Sequence, residues 1–287
     1  EKLGNICKQL SLPVKWKLAF LLWRYSYAAL ILFFNITFMQ FGTFCRVSKS
    51  AGESSGVGSG GPELSDGRAS SSYLIWLDGK GIVLIDAGSG SSLNYEKSGA
   101  NLTDLQVVAF THFHVDHSAD FAALIKASYF ARRNQDLIVL GPEGNDFMPS
   151  TIEFINRLFA RKGVFAYLSE YVDTEQSSRF KIRGKSMMLA KHIKQVAYTS
   201  NSFVLSAIPV HHGPIPALAW RIDVAGCAIT FSGDMSNRFQ TLASLARGTD
   251  ILIAHNAIPE SQKGAGRSLH MPPSEIGKIA KQQMLKS

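Results

Sequence analysis

The sequence predicts a mixed α/β domain in which sheets and helices form layers, and three features support this fold class. Two apolar segments, YLIWL and GIVLIDAG, follow each other directly and are joined by a turn at residues 78–81, a pattern typical of a β-hairpin. Later apolar strands alternate with segments that have helical apolar spacing, which favours layered α/β architecture. Several strands end on histidine or aspartate, so we expect polar side chains to gather at one edge of the sheets.

Each predicted element follows from its local pattern. The Gly/Ser-rich stretch at residues 48–72 is interpreted as a tight loop entering the domain, because two strands follow it without a gap. The segment LQVVAF, residues 105–110, is predicted to be a buried strand. A helix is predicted in SADFAALIKASYFARR with Ser118 as its N-cap, and another in STIEFINRLFARKG that ends at Gly163. Further strands are predicted in DLIVLGPEG, FVLSAIPVHHG, LAWRIDVAGCAITFSGD and DILIAHNA.

The N-terminal segment differs from the rest of the chain in its charge. Of the net charge of +8, residues 1–50 contribute +6, because they hold seven Lys or Arg and one Glu. The uncharged stretch at residues 25–45 follows this basic segment and approaches the roughly 20 apolar residues that span a bilayer. We therefore interpret residues 1–46 as a signal peptide or membrane anchor, with a buried helix as the alternative, and expect an exported, periplasmic or membrane-anchored protein.

Charge and cysteine content exclude two other classes of protein. Residues after position 50 carry a net charge of only +2, so the charge of the domain does not predict a nucleic-acid-binding face. The three cysteines, Cys7, Cys45 and Cys227, have no C-x-x-C spacing. A disulfide framework and a cysteine-based zinc site are therefore not predicted.

The segment THFHVDHSAD carries the strongest chemical signal in the chain. His112, His114 and Asp116 alternate along an extended segment and so share one face, and His117 follows at the turn. Imidazole and carboxylate groups are zinc ligands, and four of them exceed what one catalytic, tetrahedral ion can bind. The spacing therefore predicts two neighbouring metal ions. The alternative is a polar loop at the start of a helix, without a metal.

This loop resembles that of the metallo-β-lactamase fold superfamily, and more precisely its ribonuclease Z and arylsulfatase-like branch. Later segments extend the resemblance in the family's order: VHHGPIPALAWRID supplies a histidine, FSGDMS an aspartate, and LHMPPSEIGKIA a late histidine before a helix. The resemblance runs from about Gly58 to the end of the chain and implies a four-layer αββα sandwich. Residues 47–287 are accordingly predicted to form the hydrolase domain.

The resemblance also implies a ligand set for two Zn²⁺ ions per chain, with Mn²⁺ or Fe²⁺ as alternatives. Asp234 corresponds to the family's bridging carboxylate, and the family's pattern of a histidine before a small residue, a proline and an aromatic points to His212. Neighbouring residues of a strand face opposite ways, so His211 would face away from the metals. His211 is then expected to support the site without contacting a metal. By this resemblance the first ion is held by His112, His114 and His212, the second by Asp116, His117 and His270, and both by Asp234.

Two further residues are candidates for roles at the same site. His255 ends the strand DILIAHNA, where a histidine of the ribonuclease Z branch is implicated in proton donation. It is here followed by Asn256 instead of the usual Glu. His255 and Asp116 are our candidate catalytic residues, although His255 could instead only hydrogen-bond near the site. Asp86 ends an apolar strand and is predicted to orient a ligand histidine; a turn-forming role is the alternative.

These residues predict a dinuclear-zinc hydrolase in which a metal-bridged hydroxide attacks an ester. The bridging aspartate and the H-G-x-x-P element resemble the phosphodiesterases of the family. Arylsulfatase, lactonase or thioesterase activity remains an alternative, as does a non-catalytic metal-binding protein. The long segment between His117 and His211, including a helix at residues 151–162, is expected to form a lid or a substrate wall.

The expected partner is a small-molecule ester. Only 22 residues separate His212 from Asp234, which leaves no room for the tRNA-gripping arm that ribonuclease Z carries there, so a tRNA substrate is not expected. Membrane association through the N-terminal segment and a homodimer are both compatible with the sequence. The non-Met start and the stop at Ser287 leave open whether the chain is truncated.

Overall fold

A computed structural model describes residues 46–48 and 57–284 of the chain. The predicted N-terminal signal or anchor therefore lies, up to residue 45, outside the described residues and stays a prediction. Among the described residues, every helix is too short or too polar to cross a bilayer.

The first sheet contains six strands in sequential order. They are β1 (Arg46–Ser48), β2 (Tyr73–Leu77), β3 (Lys80–Ile85), β4 (Val107–Ala109), β5 (Leu137–Pro142) and β6 (Ile182–Met187). The first three are antiparallel, and β3 to β6 run parallel. The β2–β3 pair is the hairpin predicted at residues 78–81, where Asp78 and Gly79 both have positive φ values. The carboxyl ends of β3 to β6 consequently lie at one edge of this sheet.

The second sheet has the strand order β11-β10-β9-β8-β7. Its members are β7 (Gln195–Thr199), β8 (Phe203–His212), β9 (Ile215–Val224), β10 (Cys227–Phe231) and β11 (Ile251–Ile253). All neighbours are antiparallel except β10 and β11. The long β8–β9 hairpin turns at Gly213 and Pro214, directly after His212.

The helices cover the outer faces of both sheets. They are α1 (Ser91–Lys97), α2 (Val115–Ser118), α3 (Phe121–Phe130), α4 (Thr151–Phe159), α5 (Leu242–Leu245), α6 (Ala265–Leu269) and α7 (Pro273–Met284), with a 3₁₀ helix at Ala166–Tyr171. Three apolar clusters separate the layers: one beneath α1, α3 and α4, one between the sheets, and one beneath α5 and α7. This arrangement confirms the predicted four-layer αββα sandwich.

Two hydrogen bonds tie the sheets together where polar side chains gather. The indole Nε1 of the fully buried Trp220 on β9 donates to the carbonyl of Phe110, just after β4, at 2.9 Å. Nearby, the amide of Leu218 donates to the carbonyl of Thr111 at 2.9 Å. Because both bonds are buried, losing either would leave an unpaired polar group. They hold the segment that begins at Thr111 against β9.

Two sequence predictions of helices need correction. Ser118 does not cap the helix after it but ends α2, where its hydroxyl donates to the carbonyl of His114. Asp120 is the N-cap of α3. The helix α4 begins after Ser150, whose hydroxyl accepts from the amide of Glu153, but ends at Phe159 rather than at Gly163.

The burial of α4 contradicts a movable lid formed by this helix, whereas the alternative of a substrate wall stays a prediction. Ile155 and Phe159 are buried in the apolar cluster on the outer face of the first sheet. The helix α4 is therefore a structural layer. The strands β6 and β7 were not predicted from the sequence, because their buried and exposed residues do not alternate regularly.

Candidate metal centre

Four segments bring the candidate ligands to one edge of the sandwich. The loop after β4 carries His112, His114, Asp116 and His117, and the end of β8 carries His212. Asp234 follows β10, and His270 stands between α6 and α7. All seven side chains predicted from the sequence therefore approach the same region, because each follows the end of a strand or precedes a helix at that edge.

Three histidines form the first group of candidate ligands. His112, His114 and His212 each offer a nitrogen, and these atoms lie within 4.8 Å of one another. Nε2 of His212 is 3.4 Å from Nδ1 of His114. Nδ1 of His212 lies 2.9 Å from the carbonyl of Leu269, which fixes the orientation of the ring. Three converging imidazole nitrogens are a suitable set for one divalent ion.

Asp234 occupies the centre of the second part of the site. One carboxylate oxygen lies 3.5 Å from Nε2 of His117, and the other lies 3.9 Å from Nε2 of His212 and 3.8 Å from Nδ1 of His270. Asp234 consequently belongs both to a group with His112 and His117 and to a group with His212 and His270. A carboxylate in this position can contact two ions at once.

Asp116 lies at the margin of this arrangement. Its carboxylate is 3.6 Å from Nε2 of His117. Among the described residues, however, it is in none of the groups of three whose ligand atoms all approach within 4.8 Å. The structure therefore brings Asp116 next to one predicted partner, His117, and places it farther from the others.

The donor atoms themselves indicate that cations fit this site. Within the described part of the chain, Nε2 of His112, Nδ1 of His270 and Oδ1 of Asp234 are buried and make no hydrogen bond. A buried polar atom without a partner costs about 1–3 kcal/mol, and three such atoms in one cluster need a common partner. Imidazole and carboxylate donors suit zinc, manganese or iron. The residues present therefore fit a metal site.

Burial lowers the pKa of three of the candidate ligand histidines. It lowers the pKa of His112 well below its ordinary value and lowers that of His212 to about 4. Burial likewise lowers the pKa of His270. These rings are neutral at physiological pH, which is the form that binds metal.

His117 behaves differently because two carboxylates face it. Burial opposes its charged form, but Asp86 and Asp234 outweigh burial and raise the pKa of His117 well above its ordinary value. In turn, His117 and His255 outweigh the burial of Asp234 and hold its pKa well below the usual range. Without a metal, the imidazolium of His117 thus neutralises part of the buried negative charge.

This protonation predicts how metal binding depends on pH. Because a metal must displace the proton of His117, we expect affinity to rise by up to about tenfold per pH unit below the pKa of His117 and then to level off. His112, His212 and His270 are already neutral there and add nothing to the slope. Calorimetric zinc titrations at pH 6, 7 and 8, in buffers of different ionisation enthalpy, should detect about one proton released. Proton release of zero would contradict this account.

Asp86 anchors the ligand loop from behind. Its Oδ2 lies 2.7 Å from Nδ1 of His117 and accepts from the hydroxyl of Thr111 at 2.8 Å, while Oδ1 accepts from the amide of Thr111 at 2.7 Å. Asp86 is 1% exposed and has a φ of 58°, a conformation that aspartate and asparagine tolerate better than most residues. This contact leaves Nε2 of His117 directed at the candidate metal ligands.

The two remaining candidates occupy different places. Nδ1 of His255 lies 3.0 Å from Oδ1 of Asp234, without the alignment of a hydrogen bond, and its side chain is 25% exposed. His211 points away from the ligands: its Nδ1 lies 2.7 Å from the hydroxyl of Ser236, and its ring meets Phe239. His255 is therefore next to the candidate metal ligands, whereas His211 contacts the segment that follows Asp234.

Sequence reasoning missed two groups that position the ligands. Thr111 connects Asp86 to the ligand loop, and the carbonyl of Leu269 faces His212. Thr111 directly precedes the histidine motif, so its place after an apolar strand was an available signal. A backbone carbonyl such as that of Leu269 leaves no trace in the residue types.

Comparison with known proteins identifies the class to which this fold and site belong. Residues 65–270 match the family model of the metallo-beta-lactamase superfamily. The chain belongs to this superfamily, and with its His/Asp metal site it is a metal-dependent hydrolase of that fold.

Its relatives narrow the position within the superfamily. The chain is 23% identical to ribonuclease Z of Metallosphaera sedula over 249 residues, which cover 80% of this chain and 84% of the relative. It is 27% identical to ribonuclease Z of Clostridium kluyveri over 168 residues, 58% of this chain and 48% of the relative. These similarities place the chain in the ribonuclease Z-like branch of the superfamily, as a distant homologue.

Two solved structures have the same fold. The metallo-beta-lactamase fold protein YhfI from Bacillus subtilis superposes with a TM-score of 0.60 at 21% identity, covering 79% of this chain and 80% of that one. The short form of human tRNase Z gives a TM-score of 0.61 at 20% identity, covering 79% and 87%. At such identities the likeness concerns the fold alone.

Proposed function

We propose that the protein is a phosphodiesterase that uses two zinc ions to hydrolyse a small-molecule ester. The observation that carries this proposal is the central position of Asp234. Its two oxygens face His117 on one side and both His212 and His270 on the other, at 3.5–3.9 Å. A carboxylate shared between two ligand groups suits a pair of ions, and the distant ribonuclease Z relatives support phosphodiester chemistry.

The chain's own residues divide the work as follows. His112, His114 and His212 would hold one ion, Asp116, His117 and His270 the other, and Asp234 would contact both. When bound, the ions supply water activated at neutral pH and neutralise negative charge on the phosphoryl oxygens. Asp86 accepts a hydrogen bond from Nδ1 of His117, so that Nε2 of this ring remains available to a metal.

His255 is proposed to protonate the leaving oxygen as its bond to phosphorus breaks. Its Nδ1 faces Asp234 at 3.0 Å, and its Nε2 has no hydrogen-bond partner among the described residues. A positioned acid contributes typically 10²–10⁴-fold to such a step. Asp234 would then orient the ring of His255 in addition to binding metal.

Replacing His255 with glutamine should therefore slow the enzyme in a way that depends on the leaving group. With an alkyl phosphodiester, whose leaving group needs a proton, we expect kcat to fall by about 10²-fold or more. With a p-nitrophenyl ester, which leaves as a stable anion, the loss should be several times smaller. Steady-state kinetics with both substrates provide the measurement. Equal losses on both would assign His255 a structural role instead.

A small substrate is proposed because of the segment between His212 and Asp234. It consists of β9, β10 and short connections, so it adds no arm beside the metal centre. This organisation supports a small-molecule ester rather than tRNA. We further propose that the chain acts outside the cytoplasm, on the strength of the N-terminal sequence pattern alone.

The function is tested by counting metals on the purified protein and measuring hydrolysis of bis-p-nitrophenyl phosphate. Two ions per chain together with turnover are expected. Turnover of p-nitrophenyl sulfate or of a lactone, without turnover of the phosphodiester, would replace the phosphodiesterase with the arylsulfatase or lactonase alternative. Two bound ions without turnover of any of these esters would favour a non-catalytic metal-binding protein.

A further inference from the structure

The connection between the two sheets forms an exposed edge of the sandwich. The strands β6 and β7 each lie at the end of their sheet's strand order, and the loop at residues 188–194 joins them. Gln195 closes this loop at its base: its side chain accepts from the amide of Met188 at 3.2 Å and donates to the carbonyl of Met188 at 2.7 Å. Farther along the loop, the ring of His192 stacks on Phe239, with centroids 3.7 Å apart. The loop is therefore held in place at two points.

Three large apolar side chains are exposed on this edge. Met188 is 61% exposed, Ile193 is 55% exposed and Val196 is 60% exposed. The two hydrogen bonds of Gln195 bring Met188 beside the start of β7, where Val196 directly follows Gln195. The three side chains are thus grouped at one place. Single exposed apolar residues are ordinary on a protein surface, whereas grouped ones mark interaction surfaces.

The charge around these side chains has one sign. Residues 176–222 contain seven Lys or Arg and no Asp or Glu. Lys191 and Lys194 are exposed on the loop. The carboxylate of Glu143, which lies on the neighbouring loop after β5, accepts from the amide of Leu189 at 2.7 Å and offsets one of the two charges. The exposed group, here called the edge patch, consists of Met188, Lys191, Ile193, Lys194 and Val196.

A surface that combines aliphatic side chains with lysines suits an anionic lipid bilayer. The aliphatic side chains enter the boundary between head groups and acyl chains, while the ammonium groups reach the lipid phosphates. A nucleic acid would instead be bound through rings on which bases stack, but the ring of His192 is already stacked on Phe239. A second copy of the chain would bring like charges together. Lysines that only protect an edge strand from pairing would not need exposed aliphatic neighbours.

We propose that the edge patch inserts into the surface of an anionic membrane. The contact is made by the folded domain and is separate from the predicted N-terminal anchor, whose residues take no part in it. It also does not depend on the phosphodiesterase function. Because the loop is fixed at its base by Gln195 and at His192, insertion orients the whole domain on the membrane rather than tethering it through a flexible segment.

The test places a spin label at residue 193 of the full chain. Ile193→Cys is labelled in a chain whose own cysteines, Cys7, Cys45 and Cys227, are replaced with serine. Electron paramagnetic resonance then distinguishes a label reached by lipid-dissolved oxygen from one reached by a water-soluble nickel complex. With vesicles of phosphatidylcholine and phosphatidylglycerol we expect the label to be in lipid. With pure phosphatidylcholine it should remain in water. The matched control is Leu93→Cys, 68% exposed on α1, whose label should remain in water with both vesicles.

The lysines are tested with the same label. Each basic residue near an anionic surface strengthens binding by roughly fivefold. Lys191→Gln combined with Lys194→Gln should therefore lower the ratio of lipid-inserted to aqueous label by about 20- to 30-fold, and added salt should lower the ratio in the parent. Lys97→Gln combined with Lys162→Gln removes the same charge from exposed positions outside the edge patch and should leave the ratio unchanged. The ratio is read at residue 193, so it reports insertion of the loop whether or not the N-terminal segment holds the chain on the vesicle.

The outcomes are distinct. A label at residue 193 that remains in water with the anionic vesicles overturns the proposal, as does equal insertion into both kinds of vesicle. A label that responds to polyglutamate or to an oligonucleotide, but not to vesicles, would replace the membrane with an acidic protein or a nucleic acid as the partner. Hydrolysis plays no part in the readout, so failure of the phosphodiesterase function and failure of membrane insertion are observed separately.

Discussion

Replacing Asp234 with alanine is expected to reduce metal occupancy and to lower kcat/KM by about three orders of magnitude. The carboxylate faces His117, His212 and His270 at 3.5–3.9 Å, so its removal takes a ligand from both groups at once. Loss of charge stabilisation worth several kcal/mol corresponds to roughly a thousandfold in rate. Occupancy is measured by elemental analysis and the rate with bis-p-nitrophenyl phosphate.

Asp223→Ala provides the matched control for this experiment. Asp223 is a half-exposed aspartate of the second sheet, where it pairs with Arg221 at 2.8 Å. Its replacement should leave both occupancy and rate unchanged. If Asp234→Ala also retains its full metal content, the carboxylate does not hold the shared position and the two-ion account loses its central residue.

Replacing Asp86 with alanine should have the second largest effect, and it should act on stability as well as on metal binding. The change removes the acceptor of the amide and hydroxyl of Thr111 and the partner of His117. Leaving these groups unpaired in the interior is expected to lower the free energy of unfolding by about 3–5 kcal/mol. Alanine at a φ of 58° adds strain. Metal affinity should fall about 10- to 100-fold, because His117 loses its orientation.

Asp86→Asn separates these two effects. Asparagine tolerates the same backbone conformation and can still accept from the amide of Thr111, but it presents an NH₂ group to Nδ1 of His117. We expect most of the stability to be retained and metal affinity to be lowered nearly as much as in Asp86→Ala. Denaturant unfolding and competitive zinc titration supply the two numbers. Equal zinc affinity in the parent and both variants would show that Asp86 does not orient a ligand.

The parts of the site that could be predicted from sequence are those with short-range signals. The cluster from His112 to His117 is visible because four candidate ligands follow closely after an apolar strand. His212, Asp234 and His270 are separated in the chain and were found through the family's order of motifs. The choice of His212 over His211 followed from the family's pattern together with strand alternation, and the structure directs His212 at His114 and His211 at Ser236.

Other features depend on packing that local patterns do not encode. Ser118 seemed a suitable N-cap, but its hydroxyl bonds back to His114 because the chain makes a short helix before α3. The helix α4 seemed suitable as a lid until its apolar face was seen buried on the first sheet. His192 and Phe239 are far apart in sequence, so their stacking became visible only after folding.

The central claim, that separated imidazoles and carboxylates hold a pair of cations, is tested most directly by anomalous diffraction at the zinc absorption edge from crystals grown with zinc. The account predicts two peaks per chain, one contacted by His112, His114 and His212 and one by Asp116, His117 and His270, with Asp234 touching both. A single peak, or peaks elsewhere on the molecule, would contradict it.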